Sequence, residues 1–142
     1  MVGFAERRHP MFKTILVPID LHLEASWRKA LPVAIEQARM AGGTVHVMTV
    51  APEIDPNLRV TDRNYCAWLE EVVGRYRTDD VPVQTSIKHG SVHRQIRRAA
   101  HEVGADLILL ASHNPRASDY LLGSNAAHVV THSRCSVLVV RE

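Results

Sequence analysis

Three short segments of the sequence combine residue types that could hold a phosphorylated ligand. Residues 17–20, VPID, end an apolar run with a carboxylate that could accept hydrogen bonds from sugar hydroxyls. Residues 111–115, ASHNP, are polar and turn-prone beside an apolar run. Residues 121–125, LLGSN, place a glycine and a hydroxyl at the start of a predicted helix. Each segment also has an ordinary explanation: a helix-entry aspartate, a plain loop and a serine N-cap.

The third segment has the chemistry of an anion site. Free N–H groups and the positive end of the helix dipole attract phosphate, and glycine lets the backbone approach it closely. The dinucleotide-binding G-x-G-x-x-G and the Walker motif G-x-x-x-x-G-K-[ST] are both absent from the sequence. Any phosphate site here is therefore of a different kind.

Hydrophobic periodicity predicts the elements that must position these segments. Short β-branched apolar runs alternate with amphipathic helical stripes, which gives the order βαβαβαβαβ. Pro32 falls inside the first helical stripe, so that helix either bends there or begins later than Glu24. The predicted strands are 12–19, 44–50, 81–87, 106–112 and 135–140, and the predicted helices are 24–41, one from 61 or 62 to 76, 92–103 and 124–132.

Near-continuous apolar strands alternating with helices indicate a parallel sheet covered on both faces, which is a doubly wound α/β fold. Such folds bind ligands beyond the carboxyl ends of the strands, where the strand order switches. The three segments follow predicted strands or begin the helix after one, so we expect them to meet at that edge.

Composition limits the alternatives. A chain of 142 residues with 46% hydrophobic and 23% charged residues is expected to form one domain with a real core. We predict that domain over 11–142, with 1–10 as an extension. Neither a membrane-spanning run nor a secretory leader is recognised, so a cytoplasmic location is expected. The formal charge of +2 is too small to imply nucleic acid.

The order of motifs resembles the universal stress protein family. The likeness is carried by ILVPID at 15–20, by ASHNPRASDYLLGSNAAHVV at 111–130 and by CSVLVVR at 135–141. It implies a five-stranded parallel sheet in the order 3-2-1-4-5, a Rossmann-like fold of the adenine nucleotide alpha hydrolase type. It also implies a homodimer and, as in many members, ATP held between the first and fourth strands.

Carried over to this sequence, the resemblance implies an adenine nucleotide site. Asp20 would lie near the ribose, the backbone of Val50 would meet the adenine, and Gly123 with Ser124 would bind phosphates. The ligand would be ATP, ADP or AMP, with Mg²⁺ as an optional companion. The full set implied is Pro18, Ile19, Asp20, Val50, Ala111, His113, Asn114, Gly123, Ser124, Asn125 and Ala126.

The sequence departs from the family's ATP pattern of G-x-x-G, nine residues, then G-[ST]. Ala111 and Asn114 replace the first two glycines, and eight residues separate Asn114 from Gly123. The departure leaves two hypotheses open. One is a nucleotide-dependent stress-response switch or sensor with at most slow hydrolysis or autophosphorylation, since no dedicated general base is evident. The other is a nucleotide-free dimeric interaction module that binds another protein.

The clustered histidines and arginines are predicted to lie on the surface rather than to bind a metal ion. His128 and His132 lie four residues apart, but without an HExxH motif or a third ligand we expect no metal site there and a solvated helix face. The helix over 92–103 carries Arg94, Arg97 and Arg98 opposite its apolar stripe, so it is predicted to be a solvated basic face or a contact for an acidic partner.

The last strand is predicted to lie at a sheet edge, which is prone to pair with another chain. Its side chains alternate, so one set could face the core and the other a second copy of the chain. The residues assigned to this homodimer contact are Val137, Leu138, Val139 and Val140.

Overall fold

The computed structural model describes residues 12–52, 62–112 and 123–141. The predicted extension 1–10 and the loop after the fourth strand, with His113 and Asn114, lie outside these ranges. Within these ranges, five strands and four α-helices alternate. They are β1 (Thr14–Ile19), α1 (Ala30–Ala41), β2 (Thr44–Ala51), α2 (Asp62–Gly74), β3 (Val83–His89), α3 (Val92–Val103), β4 (Leu107–Ser112), α4 (Ser124–His132) and β5 (Ser136–Arg141).

The strands form one parallel sheet in the order β3-β2-β1-β4-β5, which confirms the predicted topology. β1 pairs with β2 from Thr14–Thr44 to Ile19–Thr49. On its other side, β1 is in register with β4 at Ile15–Leu107 and Leu16–Ile108, near the amino ends of both strands. The chain winds from β1 to one edge of the sheet and then from β4 to the other, so the strand order switches between β1 and β4.

Each face of the sheet has its own core because successive strand residues point to opposite faces. Ile15 and Val17 are buried with residues of α1 and α2, such as Leu31 and Leu69. Leu16, from the same strand, is buried on the other face with residues of α3 and α4, among them Ile96, Ala99 and Val129. The central strand is therefore enclosed on both sides, as its unbroken apolar sequence predicts.

The first helix begins later than the periodicity predicts, so a start at Glu24 is wrong. Residues Glu24–Ser26 form a single 3-10 turn, and α1 runs from Ala30 to Ala41. Pro32 thus falls in the first helical turn, where a backbone N–H has little or no helical partner to lose. The helix needs no kink, and Gly42 ends it with the left-handed φ of 63° that glycine adopts without strain.

Two predicted strands are displaced by one or two residues. β3 begins at Val83 rather than Val81 because Pro82 has no N–H to donate, although its carbonyl accepts from Val45 N–H at 3.0 Å. β5 runs from Ser136 rather than Cys135.

In the described ranges, no helix has the length and apolar character needed to cross a bilayer.

Candidate functional site

A cavity of about 530 Å³ lies at the carboxyl ends of β1, β2 and β4. Its walls are completed by the amino-terminal ends of α3 and α4. The lining residues are Pro18, Ile19, Asp20, Ser26, Val50, Val92, Ile96, Leu110, Ala111, Ser112, Gly123, Ser124, Asn125 and Ala126. This is the position at which doubly wound sheets bind ligands, and the volume suits a small molecule.

Every residue that the sequence assigned to the site and that the structure describes lines this cavity. The three segments named from the sequence therefore converge on one place, although about 100 residues of chain separate the first from the last. Sequence reasoning missed Ser26, Val92, Ile96 and Leu110, which also line it, and named Ser112 only as part of the second segment. His113 and Asn114 lie outside the described residues.

The turn after β1 is held by a buried hydroxyl. Ser26 Oγ accepts a hydrogen bond from Asp20 N–H at 2.8 Å and lies 3.0 Å from Asp20 O, to which it donates. Ser26 is only 4% exposed, so these two bonds are shielded from water. A serine six residues after Asp20 belongs to no motif, so only tertiary structure could reveal its role.

Asp20 presents its carboxylate at the cavity. Its Oδ1 accepts the backbone N–H of His22 at 2.9 Å, an interaction that turns the chain sharply away from β1. The side chain is exposed, and its other oxygen has capacity to accept further donors. Asp20 is the sole charged residue among the described residues that line the cavity. It could accept from hydroxyl groups of a bound ligand.

Opposite Asp20, the start of α4 presents backbone donors. Gly123 is the N-cap, with no side-chain capping bond, and Ala127 N–H to Gly123 O at 2.9 Å closes the first turn. The N–H groups of the first helical residues, from Ser124 to Ala126, have no partner within the helix, which gives this end a partial positive charge. The serine N-cap explanation is therefore wrong for Ser124, because glycine occupies the capping position.

Gly123 is not required here for an unusual backbone conformation. Its φ is −56° and its ψ is 156°, which other residues adopt, and a Cβ built on it meets no atom of the described residues within 4 Å. The glycine leaves space in front of the helix terminus. Ala111 lies in β4 in register with Val140, and its half-buried methyl group belongs to the cavity wall.

Apolar side chains form the remaining wall. The sequence pattern places Val92 in the buried stripe of α3, but this prediction is wrong, since Val92 is 38% exposed. It lines the cavity with the half-buried Val50 and the buried Ile96 and Leu110. The cavity thus has a carboxylate, an apolar wall and a helix amino terminus, which together suit a ligand with hydroxyls, a flat ring and an anionic group.

Three histidines of α3 and α4 form a stack where the two helices meet. The rings of His93 and His128 lie 3.8 Å apart and nearly parallel, at 18°, and His132 continues the stack at 4.3 Å from His128. The prediction of a solvated face is thus wrong for the half-buried His128 and correct for the exposed His132. Within the described ranges, no group of three or more potential metal ligands is found.

Fold and cavity together define an α/β protein with a ligand site at the switch point of a parallel sheet. The sequence profile of the Universal stress protein family matches residues 11–141. The chain is 31% identical to Universal stress protein G of Escherichia coli O157:H7, over 92% of this chain and the whole of that protein. This chain belongs to the universal stress protein family.

Solved structures with the same fold confirm the architecture. A universal stress protein in complex with cAMP superposes with a TM-score of 0.73 at 22% identity, over 92% of this chain and 98% of that one. The universal stress protein of Archaeoglobus fulgidus in complex with dAMP gives 0.69 at 22% identity, over 91% and 98%. At this identity the likeness establishes the shared fold.

Proposed function

We propose that the cavity at the carboxyl ends of β1 and β4 binds an adenine nucleotide, most specifically ATP, and that its occupancy makes this protein a stress-response switch. The observation that carries the proposal is the convergence of Asp20, Val50 and the start of α4 on one cavity of about 530 Å³. In this pose the adenine contacts the apolar wall, the ribose hydroxyls donate to Asp20, and phosphates accept from the N–H groups at the start of α4.

Two related proteins support the adenine part of the proposal. One structure of this fold is a complex with cAMP and another is a complex with dAMP. Both ligands contain adenine, a ribose or deoxyribose, and phosphate, the three parts that the cavity can accommodate here. The extension to ATP rests on the free N–H groups and the open space in front of Gly123.

Ala111 does not argue against this pose. It lies in an extended strand, and among the described residues Phe12 is the one non-glycine with a positive φ. Glycine is thus not needed at 111 for backbone conformation, and the alanine methyl narrows the cavity by one carbon. We expect affinity to be reduced relative to a glycine at this position, without loss of the site.

The ligand-binding residues favour a switch more than an efficient enzyme. Within the described part of the cavity, Asp20 is the only ionisable side chain, and its Oδ1 already accepts the N–H of His22. General base catalysis needs a side chain aligned on the attacking group. We therefore propose that partner proteins recognise whether this cavity holds a nucleotide. Hydrolysis of the nucleotide, or autophosphorylation at Ser124, would be slow at most. Mg²⁺ would be held by the ligand's phosphates.

The first test identifies the nucleotide. Purified protein is denatured in acid, the released small molecules are analysed by mass spectrometry, and thermal unfolding is followed with and without ATP and Mg²⁺. A released adenine nucleotide, or stabilisation by several degrees at excess ATP, supports the proposal because a ligand that binds the native state raises its stability. An empty protein that ATP leaves unchanged contradicts it and favours the nucleotide-free module.

The second test locates the ligand. Gly123→Val should abolish ATP-dependent stabilisation because its branched side chain would occupy the space in front of the helix terminus. The substitution should fold, since the backbone conformation suits valine and a Cβ meets nothing within 4 Å. Gly74→Val is the matched control, because a Cβ at Gly74 also meets nothing within 4 Å, at the end of α2 on the other face. Equal stabilisation in both variants would place the ligand elsewhere.

A further inference from the structure

A second and larger cavity, of about 770 Å³, lies between α3 and the turn that connects α4 to β5. It opens near the amino end of β4, whereas the first cavity lies at the carboxyl ends of the strands. Among the described residues, none lines both cavities. We call it the basic cavity; its lining residues are Arg94, Arg97, Arg98, Ala100, His101, Gly104, Ala105, Ile108, His132, Ser133, Arg134 and Cys135.

The charged side chains that line this cavity in the described structure are all positive. Four arginines line it, and no described lining residue is an aspartate or a glutamate. Arg98 is partly neutralised by Glu102 at 3.3 Å, and Glu102 also accepts from Lys88 Nζ at 2.8 Å. The remaining three, Arg94, Arg97 and Arg134, make no hydrogen bond or ion pair with residues in the described ranges.

The acidic residue that follows the lining residue Ala105 is already hydrogen-bonded to the sheet. The carboxylate of Asp106, between α3 and β4, accepts the backbone N–H of Lys13 at 2.8 Å and that of Thr14 at 2.9 Å. Those bonds join the start of β1 to the start of β4. Asp106 therefore stabilises the pairing of β1 with β4, and the guanidinium groups of the basic cavity retain their capacity to bind an external anion.

Apolar residues also line the cavity. Ala105 and Cys135 are half-buried and offer apolar surface to a ligand, whereas Ala100 and Ile108 are buried in the core. Arginines beside apolar surface suit an organic molecule that carries phosphoryl groups, and the volume falls within the roughly 300 to 1,000 Å³ of small-molecule sites. Guanidinium groups match phosphate oxygens in paired, planar hydrogen bonds.

From this arrangement we propose that the basic cavity is a second ligand site, which binds a small organic molecule carrying two or more phosphoryl groups. Arg94, Arg97 and Arg134 hold its phosphoryl oxygens, and Ala105 and Cys135 contact its organic part. The site is independent of the nucleotide cavity.

The test uses inorganic tripolyphosphate as the probe and titration calorimetry at constant ionic strength on the full chain. Arg97→Gln with Arg134→Gln should weaken tripolyphosphate binding at least about tenfold, the effect of losing one charge-assisted hydrogen bond. Arg63→Gln with Arg75→Gln is the matched control, because it removes the same charge from exposed positions of α2 and its end, on the other face of the sheet. Binding to this control should equal that of the unaltered chain.

Gly123→Val separates this inference from the proposed nucleotide site. Tripolyphosphate binding that persists in Gly123→Val and is lost in Arg97→Gln with Arg134→Gln supports the basic cavity, whatever becomes of ATP binding. Absence of binding, equal weakening in the two arginine pairs, or loss only in Gly123→Val overturns the proposal. So does tighter binding of a glutamate peptide or a short oligonucleotide of the same charge, which would assign the arginines to a macromolecule.

Discussion

At the scale of single residues, His128 shows how position alters a side chain's chemistry. Partial burial lowers the pKa of His128 below its ordinary 6.5, and the nearby positive charges of His93, His132 and Arg97 lower it further. Its Nδ1 and that of His93 are buried without a hydrogen-bond partner in the described structure. The folded chain therefore favours the neutral imidazole where α3 and α4 meet.

This depressed pKa predicts a pH dependence of stability. The unfolded chain binds a proton at His128 before the folded chain does, so stability is full above the ordinary value of 6.5 and falls as the pH drops below it. Urea unfolding measured between about pH 5 and 8 should show this fall. His128→Gln should make the fall smaller, because glutamine does not titrate in that range, and His46, whose pKa burial also lowers, accounts for the part that remains.

His101→Gln provides the control, because His101 is an exposed histidine of the same helix pair. It should leave the pH profile of unfolding close to that of the unaltered chain. If His128→Gln and His101→Gln change the profile equally, the stacked histidines are not its source.

At the scale of elements, the turn between α1 and β2 joins three parts of the fold. Gly43 N–H donates to Ala38 O at 2.8 Å, which completes the end of α1, and Thr44 N–H donates to Lys13 O at 2.8 Å, beside the start of β1. A Cβ built on Gly43 would collide with the backbone carbonyl of Lys13. Because Gly43 has no side chain, the end of α1 can lie close to the start of β1.

Gly43→Ala should therefore destabilise the chain by about 1 to 3 kcal/mol, the range for overpacking against atoms that cannot move aside. Chemical denaturation of the purified variant measures this as a lower unfolding midpoint. Gly74→Ala is the comparison, since a Cβ there meets nothing within 4 Å and its effect should be small. A Gly43→Ala variant as stable as the unaltered chain would show that the turn relaxes.

At the scale of the whole molecule, β5 forms one edge of the sheet and contributes to both cores. Val137 packs against the core under α3 and α4, and Val140 belongs to the core under α1 and α2. The expectation that one alternate set of side chains is free for a partner is thus wrong, because both sets pack inward in part. What stays available is the strand edge itself, with Leu138 37% exposed.

We propose a homodimer paired along this edge, since an unpaired strand presents free N–H and C=O groups to another chain. Leu138→Asp should shift the sedimentation equilibrium towards the monomer by placing charges opposite each other at the contact. Val130→Asp, which replaces a 43% exposed valine of α4, is the control and should keep the dimer. A monomeric unaltered chain, or dissociation by Val130→Asp alone, would exclude the edge.

The sequence by itself determined the order of elements and the nature of their cores. The unbroken apolar character of 15–17 required burial on both faces, and the apolar stripes of α1 and α3 placed a helix over each. Motif order was enough to name the family and to nominate Asp20, Gly123 and Ser124. These features are local in the sequence or recur with a fixed period, so they can be recognised from a single sequence.

Only the tertiary structure decided which distant residues share a surface. Ser26 supports Asp20 because the chain turns back over six residues, and Val92 leaves the core because the start of α3 projects over the ends of the strands. The basic cavity arises where α3 meets the turn before β5, which brings Arg134 towards Arg94, Arg97 and Arg98. Such proximity depends on how the helices pack across the sheet, so it cannot be predicted from side-chain periodicity.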